Sequence, residues 1–331
     1  MKKFLAILLS SGLICTGYAA TTNSSGTTVK QKHHKKLKKK KVGNKSGSNK
    51  NDPILDAINT KPTTTSKRKK PRPITPVVSS GIPKQPRLYS RAGYAVDLNT
   101  GEVLVSKNAT DQMPIASITK LMTAMVMLDS GTDMDEYITI SEDDVDHLKN
   151  TFSRLRVGMQ LRRRDLLLLA LMSSENRAAY AIARTAYPGG INTFIPKMNA
   201  KAKALGMNNT QFFDPTGLTP RNRSTAIDLA KMVAAAYKYD LIREDTTTKG
   251  ADVMLGRNYT HHYMNSDALV STDKFQIEVS KTGFINEAGH CLVLYAVVDN
   301  RPIAMAFLNS AGKGGRLVDA MAVERYVDQM Q

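Results

Sequence analysis

The sequence predicts an α+β domain in which helices flank an antiparallel sheet and a helical region joins it. Three observations lead to this prediction: a strand pair opens the patterned sequence, helix-like segments fill its middle, and alternating segments followed by one helix close it. Strands grouped in this way favour an antiparallel sheet, because a parallel sheet requires strands and helices to alternate. The sequence contains no internal repeat.

The first predicted elements are a β-hairpin and a buried helix. Apolar residues alternate along Ala92 to Leu98 and Glu102 to Ser106, and Gly101 between them suits a tight turn. Ile118 to Leu128 consists mostly of good helix formers such as Leu, Met and Ala, with Gly131 as the stop signal.

Helices and loops are predicted for the middle of the chain, and strands for its end. The helices are Arg163 to Met172, Arg177 to Tyr187, Thr193 to Leu205 and one from a Ser224 or Thr225 cap to about Tyr239. Loops are expected over Ser173 to Asn176 and Asp214 to Pro220. The strands are Phe275 to Ser280, His290 to Asp299 and Pro302 to Asn309, and Val318 to Met330 is the closing helix.

Residues 1–20 have the pattern of a secretory signal peptide. Lys2 and Lys3 precede an apolar run from Phe4 to Thr16, and small residues follow through Ala20. A membrane anchor is the alternative, but the run is shorter than the roughly 20 residues of a spanning helix. Ile14 disfavours a lipoprotein signal. We therefore expect export to the periplasm.

Removal of the signal peptide would leave Cys291 without a cysteine partner in the same chain, which excludes an intramolecular disulfide. Cys291 lies in an apolar, strand-like run, which favours a buried structural thiol over a nucleophile.

The net charge of +18 comes from the signal peptide and a tail. Residues 21–90 contain 18 Lys and Arg against two Asp, whereas residues 91–331 contain 27 residues of each sign. Low hydrophobicity and high charge predict a disordered linker over residues 21–87 and a catalytic domain over residues 88–331.

The basic tail has two interpretations. It can be a solvated tether, or it can contact anionic envelope polymers or lipid head groups, where each basic residue contributes up to ~1 kcal/mol. Nucleic acid is disfavoured as a partner, because the signal peptide directs export and no aromatic residues are interleaved with the lysines.

Three short motifs point to covalent catalysis: Ser117-Ile-Thr-Lys120, Ser174-Glu-Asn176 and Lys281-Thr-Gly283. A serine hydroxyl needs a base and oxyanion donors to act as a nucleophile. Ser117 and Lys120 share a helix face, and desolvation beside a cation such as Lys281 would lower the pKa of Lys120. Ser117 is therefore the candidate nucleophile and Lys120 the candidate base.

Each motif alone also has a plain structural explanation. Ser-x-x-Lys occurs four times in the chain, and only the Ser117 match combines a helix with the right order. Ser174 and Asn176 can cap the next helix, and Lys281 can be a solvated residue at a strand end, where Gly283 would let a substrate backbone pair with the strand edge. The conjunction of all three motifs favours catalysis.

With several neighbouring segments, these motifs resemble the penicillin-binding protein and serine β-lactamase superfamily. The segments are Asp97-Leu-Asn-Thr-Gly-Glu102, Pro114-Ile-Ala-Ser-Ile-Thr-Lys120, Asp214-Pro-Thr-Gly-Leu218, Lys281-Thr-Gly-Phe284 and Ala288-Gly-His-Cys291. Within the superfamily the chain looks most like the low-molecular-mass D-alanyl-D-alanine peptidases of family S11, in the endopeptidase branch of the penicillin-binding protein 7 type. The resemblance covers residues 88–331 and implies that superfamily's fold.

The resemblance implies a reaction and a role for each catalytic residue. Ser117 would be acylated by the penultimate D-alanine carbonyl of a peptidoglycan stem peptide, and water would hydrolyse the ester. Lys120 would accept the serine proton, Ser174 would relay a proton to the leaving amine, and Asn176 would hold the acyl side chain. D-alanyl-meso-diaminopimelate cross-links are the expected substrate.

The resemblance also implies the binding groups. Lys281 and Thr282, with Gly283, would bind the substrate carboxylate, and the backbone N–H groups of Ser117 and Phe284 would form the oxyanion hole. β-Lactam antibiotics would act as covalent inhibitors. No metal or cofactor is implied, and the six histidines include no His-Glu-x-x-His pattern.

Three rival functions remain open. A class A β-lactamase would carry Glu-x-x-Leu-Asn between the second and third motifs, and this chain has none. A D-alanyl-D-alanine carboxypeptidase uses the same catalytic groups but usually continues into a β-rich domain and a membrane anchor, whereas this chain ends at Gln331 soon after its closing helix. The endopeptidase is therefore expected. A non-catalytic envelope-binding protein is disfavoured by the intact motifs.

Overall fold

The computed structural model describes residues 85–256, 259–272 and 276–330. The predicted signal peptide, and the predicted linker up to residue 84, lie outside these ranges. Within them, no helix is both long enough and apolar enough to cross a bilayer.

The described residues form an α+β domain, as predicted. The strands are β1 (Ala92–Asp97), β2 (Val103–Lys107), β3 (Met113–Pro114), β4 (Tyr137–Thr139), β5 (Gln160–Arg162), β6 (Arg223–Ser224), β7 (Gly250–Gly256), β8 (Tyr259–Met264), β9 (Gln276–Ile285), β10 (Gly289–Val298) and β11 (Arg301–Ser310). The helices are α1 (Thr119–Asp129), α2 (Arg163–Met172), α3 (Asn176–Thr185), α4 (Ile191–Ala204), α5 (Ala226–Ala236), α6 (Asp240–Thr247) and α7 (Gly315–Asp328).

A five-stranded antiparallel sheet in the order β2-β1-β11-β10-β9 separates two apolar clusters. Successive residues of β11 alternate between them, as the two-residue period of a strand requires. Met305 and Phe307 join the cluster that α7 completes, whereas Ala304 and Ala306 join the larger cluster shared with the helical region. The sheet is therefore covered by helices on both faces.

Helix α1 is the centre of the helical region. Every residue from Thr119 to Met127 is buried, and α1 packs against each helix from α2 to α6. A helix that is enclosed on all sides needs apolar or small residues around its whole circumference, which explains the Leu, Met and Ala content of its sequence. This packing fixes the start of α1, where Ser117 and Lys120 lie.

The predicted hairpin, the buried helix and the C-terminal strands are confirmed to within a few residues. Two other predictions differ from the structure. The helix expected to reach Tyr239 ends at Ala236, and α6 begins at Asp240. Between these two helices, the ring of Tyr237 stacks on that of Tyr295, with ring centroids 3.9 Å apart. The two-stranded hairpin of β7 and β8 was not predicted, because exposed residues outnumber buried ones along it.

The position of the third motif also needs correction. Lys281-Thr282-Gly283 lies inside β9 rather than at a strand end, because β9 continues to pair with β10 as far as Ile285. Strand β9 is an edge strand of the sheet, and it packs against the turn that carries Ser117. The motif is therefore held rigidly beside Ser117.

Candidate active site

Ser117 lies in a single 3-10 turn, Ala116–Ile118, directly before α1. The preceding residue, Ala116, has a φ of +48°, a left-handed conformation that costs a non-glycine residue of the order of 1–3 kcal/mol. Such strain persists only where the surroundings fix it, and it clusters at functional sites.

Two glycines allow neighbouring backbone segments to hold the Ser117 turn. A Cβ atom on Gly217 would lie 1.9 Å from the carbonyl oxygen of Ala116, and Gly217 itself has a φ of +86°. A Cβ atom on Gly283 would lie 2.9 Å from the carbonyl oxygen of Ile115 and 3.2 Å from the nitrogen of Ser117. The close contact with this turn therefore explains why residue 283 is a glycine, in addition to the expected access for a substrate backbone.

The side chain of Lys120 joins the three parts of the site. Its Nζ atom lies 2.8 Å from Ser117 Oγ, 2.7 Å from Asn176 Oδ1 and 2.8 Å from the carbonyl oxygen of Thr216. The charged amine can donate to all three atoms. When the amine is neutral its lone pair needs a donor, and among the three only the Ser117 hydroxyl carries a proton. The geometry therefore aligns Ser117 for proton transfer to Lys120.

Burial lowers the pKa of Lys120 to about 7, against the opposing charges of Asp214, Glu175 and Asp146. The side chain is only 1% exposed, so the charged form loses its hydration. The sequence predicted desolvation beside the cation Lys281. Burial is confirmed as the leading cause, whereas the charges that act on Lys120 are those of the carboxylates, and the charge of Lys120 acts on Lys281.

The capping explanation of the second motif is wrong. Glu175 is the N-cap of α3, where its carboxylate accepts from the nitrogen of Arg177 at 3.4 Å, and Asn176 is the first helical residue. Ser174 has a φ of +63°, and its hydroxyl makes no hydrogen bond in the part of the chain that the structure describes. Neither motif residue therefore caps this helix.

Asn176 connects Lys120 to the preceding loop. Its Oδ1 atom accepts from Lys120, and its Nδ2 atom donates to Thr151 Oγ1 at 3.0 Å. Thr151 Oγ1 donates in turn to Asp146 Oδ2 at 2.8 Å. Burial alone would raise the pKa of Asp146, but donated hydrogen bonds, first that of the Lys149 nitrogen, outweigh burial and lower it. This chain of bonds fixes the orientation of the Asn176 amide.

Lys281 belongs to a group of buried cations. It is 1% exposed, and among the described residues its Nζ atom makes one weak bond, 3.3 Å long, to the carbonyl oxygen of Thr282. Burial, and next the charge of Lys120, hold its pKa well below the ordinary value, while Asp267 opposes them. Arg316 of α7 is also buried, and its Nε and Nη1 atoms lack hydrogen-bond partners among the described residues. These spare donors suit a carboxylate.

Thr282 and Phe284 complete the residues predicted for β9. Thr282 Oγ1 donates to Ser266 Oγ at 2.9 Å. The Phe284 side chain is 53% exposed, and its ring stacks on His290 with centroids 4.4 Å apart. Because Gly283 lies against the nitrogen of Ser117, the N–H groups predicted for the oxyanion hole belong to adjoining backbone segments.

Sequence reasoning missed the role of the loop that begins at Asp214. The Asp214 carboxylate accepts from the nitrogens of Thr216 and Gly217, each at 2.5 Å, and from that of Thr219 at 2.8 Å. The carboxylate thereby shapes a turn whose Thr216 carbonyl accepts from Lys120. The Asp-Pro-Thr-Gly pattern signals such a turn, but it does not reveal which carbonyl is used.

Asn222, which is fully buried, ties this loop to α1. Its Oδ1 atom accepts from the nitrogen of Phe213 at 2.7 Å, and its Nδ2 atom donates to Thr119 Oγ1 at 3.1 Å and to the Asp214 carbonyl oxygen at 2.9 Å. Neither Asn222 nor Arg316 belongs to a recognisable motif, so the sequence alone did not mark them.

Cys291 is buried in β10, and burial raises the pKa of its thiol to about 11. A protonated, enclosed thiol is a poor nucleophile. The interpretation of Cys291 as a structural residue is confirmed.

The chain belongs to peptidase family S11, the D-alanyl-D-alanine carboxypeptidase family, whose pattern it matches over residues 80–312. It is 45% identical over 258 residues to a D-alanyl-D-alanine endopeptidase of Pseudomonas aeruginosa, covering 78% of this chain and 83% of the relative. It is 43% identical over 260 residues to a D-alanyl-D-alanine endopeptidase of Escherichia coli, with the same coverage. The crystal structure of the Streptomyces K15 DD-transpeptidase is similar with a TM-score of 0.69 and 30% identity, covering 74% of this chain and 99% of that one.

Proposed function

We propose that this protein is a serine DD-peptidase that hydrolyses D-alanyl-meso-diaminopimelate cross-links in peptidoglycan through an acyl-enzyme on Ser117. The observation that carries the proposal is the buried Lys120 amine, 2.8 Å from Ser117 Oγ and with a pKa of about 7. An amine with this pKa is neutral often enough at pH 7 to act as a base. The two endopeptidase relatives described above support the choice of substrate.

The reaction follows from the groups around Ser117. Neutral Lys120 accepts the hydroxyl proton as Oγ attacks the D-alanyl carbonyl carbon. The N–H groups of Ser117 and Phe284 stabilise the oxyanion, and loss of one such donor typically lowers the rate by ~10²–10³. The C–N bond then breaks, and the leaving amine receives a proton through Ser174. Water hydrolyses the ester and restores the Ser117 hydroxyl.

Substrate binding uses both sides of the nucleophile. Asn176 holds the acyl side chain, and Lys281, Thr282 and Gly283 hold the carboxylate that follows the scissile bond. The unpaired donors of Arg316 add to this carboxylate site. Both groups are buried, and a carboxylate beside them favours the charged form of Lys281, whose pKa burial and Lys120 otherwise lower. β-Lactam antibiotics carry a carboxylate beside a reactive carbonyl, and they acylate the same serine.

A D-alanyl-D-alanine carboxypeptidase is the second candidate function. The family description and a Bacillus subtilis relative, 32% identical over 232 residues, carry that activity in their names. Both activities use the same serine and lysine, so they differ only in the leaving group that the site accepts.

Labelled penicillin and cross-linked muropeptides test these proposals. The purified mature protein should form a covalent penicillin adduct that Ser117→Ala abolishes, whereas Ser310→Ala, which alters another Ser-x-x-Lys match, should retain it. No adduct on the wild-type protein, or an adduct on Ser117→Ala, would overturn the assignment. Loss of muropeptide dimers indicates an endopeptidase, and loss of terminal D-alanine alone indicates a carboxypeptidase.

The proposed location is the periplasm, supported by the signal-like pattern of residues 1–20 and by a substrate that lies outside the cytoplasm. The basic run within residues 21–87 is proposed to contact anionic envelope polymers or lipids.

A further inference from the structure

An exposed arginine lies between two aromatic rings beside the candidate active site. The guanidinium carbon of Arg154 is 5.4 Å from the centre of the Phe152 ring and 6.0 Å from that of Tyr263. Phe152 is 80% exposed, the largest exposed fraction among the described large apolar side chains. We call these three residues the Arg154 cluster.

The Arg154 cluster contains two polar groups, the guanidinium of Arg154 and the hydroxyl of Tyr263, that have no polar partner among the described residues. Arg154 forms no ion pair with any described residue, although its guanidinium lies over two rings. The hydroxyl of Tyr263 is buried and has no hydrogen-bond partner among the described residues. An exposed ring that bears an unpaired guanidinium stabilises the fold little, because both groups remain hydrated. The same arrangement suits a ligand with an aliphatic part and a carboxylate.

The cluster lies close to residues of the second and third motifs. Ser153, between Phe152 and Arg154, lies close to the carboxylate of Glu175, which directly follows Ser174 and precedes Asn176. Three residues beyond Tyr263, Ser266 accepts from Thr282 of the proposed carboxylate site. The cluster is therefore linked through neighbouring residues to Ser174 and Thr282, which we assign to the departing half of the substrate, and Thr151, directly before Phe152, also accepts from Asn176.

The acyl side of the site has different walls. A cavity of about 350 Å³ opens beside Asn176 and Thr216, both of which bind Lys120, and it is lined further by Asp146, Tyr180 and Leu218. None of the Arg154 cluster lines this cavity. The Arg154 cluster and this cavity are therefore different surfaces of the site.

We propose that the Arg154 cluster binds the leaving stem peptide of a cross-link, with the guanidinium pairing with one of its carboxylates and the Phe152 ring packing on its aliphatic chain. This proposal rests on the proposed function and explains a preference for cross-links. A single D-alanine leaving group has one carboxylate, which Lys281, Thr282 and Arg316 take. Only a larger leaving group, a second stem peptide, reaches Arg154.

The test compares substrates with and without a leaving stem peptide. Arg154→Ala should lower kcat/KM for muropeptide dimers about tenfold, the loss expected for one charge-assisted contact. Its effect on D-alanine release from monomeric pentapeptide and on penicillin acylation should be smaller than twofold. Phe152→Ala should show the same selectivity. Arg156→Ala is the matched control and should change none of the three rates, because Arg156 is an exposed arginine on the same loop that contacts no described aromatic ring.

Salt gives a second measurement. The preference of the wild-type protein for dimers over monomers should decline as salt is raised, and that of Arg154→Ala should not. An unchanged ratio of dimer to monomer cleavage in Arg154→Ala, or an equal loss on both substrates, would overturn the proposal. Failure of the proposed function shows separately, as absence of a penicillin adduct and of any muropeptide cleavage by the wild-type protein.

Discussion

Burial of Lys120 links the chemistry of one residue to the stability of the domain. In the unfolded chain a lysine keeps its proton up to its ordinary pKa, roughly 10.4. In the folded domain the pKa of Lys120 is lowered to about 7. Between these two pH values the unfolded state binds more protons than the folded state, so the free energy of unfolding rises with pH. Loss of the Lys120 proton on folding leaves the neutral amine that the proposed reaction needs to accept the Ser117 hydroxyl proton.

Lys120→Met should therefore separate activity from stability. Penicillin acylation should be lost, and the rise of the unfolding free energy between about pH 7.5 and about pH 9.5 should weaken by up to about 1.4 kcal/mol per pH unit. Denaturant titrations at several pH values measure this, with Lys313→Met, an exposed lysine, as the control. A slope equal to the wild-type slope would show that Lys120 does not titrate as inferred.

The pH dependence of the wild-type acylation rate should follow the titration of Lys120. Because the proposed base is the neutral form of Lys120, the rate should rise with pH, by about tenfold per unit below pH 7, and level off above it. Stopped-flow acylation by a chromogenic β-lactam measures the profile. A rate independent of pH from about 5 to about 8 would contradict Lys120 as the base.

At the scale of the element, the sequence was informative where a periodic pattern or a motif exists. Alternation of apolar residues predicted the N-terminal hairpin and the C-terminal strands, and the composition of α1 predicted a buried helix. The Asp214 loop was harder to interpret, because its contribution is the carbonyl oxygen of Thr216, a group that every residue type carries. The sequence likewise explained the glycine at position 283 only in part, because the contact of Gly283 with Ile115 involves a distant part of the chain.

The Asp214 loop can be tested through its glycine. Gly217→Ala would place a Cβ atom 1.9 Å from the Ala116 carbonyl oxygen, whereas Gly101→Ala, at a similar φ of +75°, would meet no atom of the described residues within 4 Å. Both substitutions should lose about 1 kcal/mol of stability from the left-handed backbone. Gly217→Ala alone should lose further stability through the clash with Ala116. Its acylation rate should also fall by at least about a hundredfold. Similar stability and acylation in both variants would argue against this contact.

At the scale of the whole molecule, charge and catalysis occupy different parts of the chain. Residues 91–331 have equal numbers of acidic and basic residues, and the excess charge precedes them. Hydrogen bonds fix the first residues of the folded part, because the Asp319 carboxylate of α7 accepts from the nitrogens of Tyr89 and Ser90 at 2.7 and 2.8 Å. Lys107 also donates to the carbonyl oxygen of Leu88 at 2.8 Å. A chain that starts at Leu88 keeps all these bonds.

Deletion of residues 21–87 should therefore affect location without affecting chemistry. The shortened protein should cleave soluble muropeptides within twofold of the full mature chain, because the deletion spares the site and its supports. Its binding to isolated sacculi at low salt should fall, and the binding of the full chain should weaken as salt rises, because attraction between exposed charges is screened. A full-length variant with glutamine in place of Lys35, Lys36 and Lys38 to Lys41 separates charge from length. Sacculus binding that survives both changes would leave the tail as a tether and place the wall contact on the folded domain.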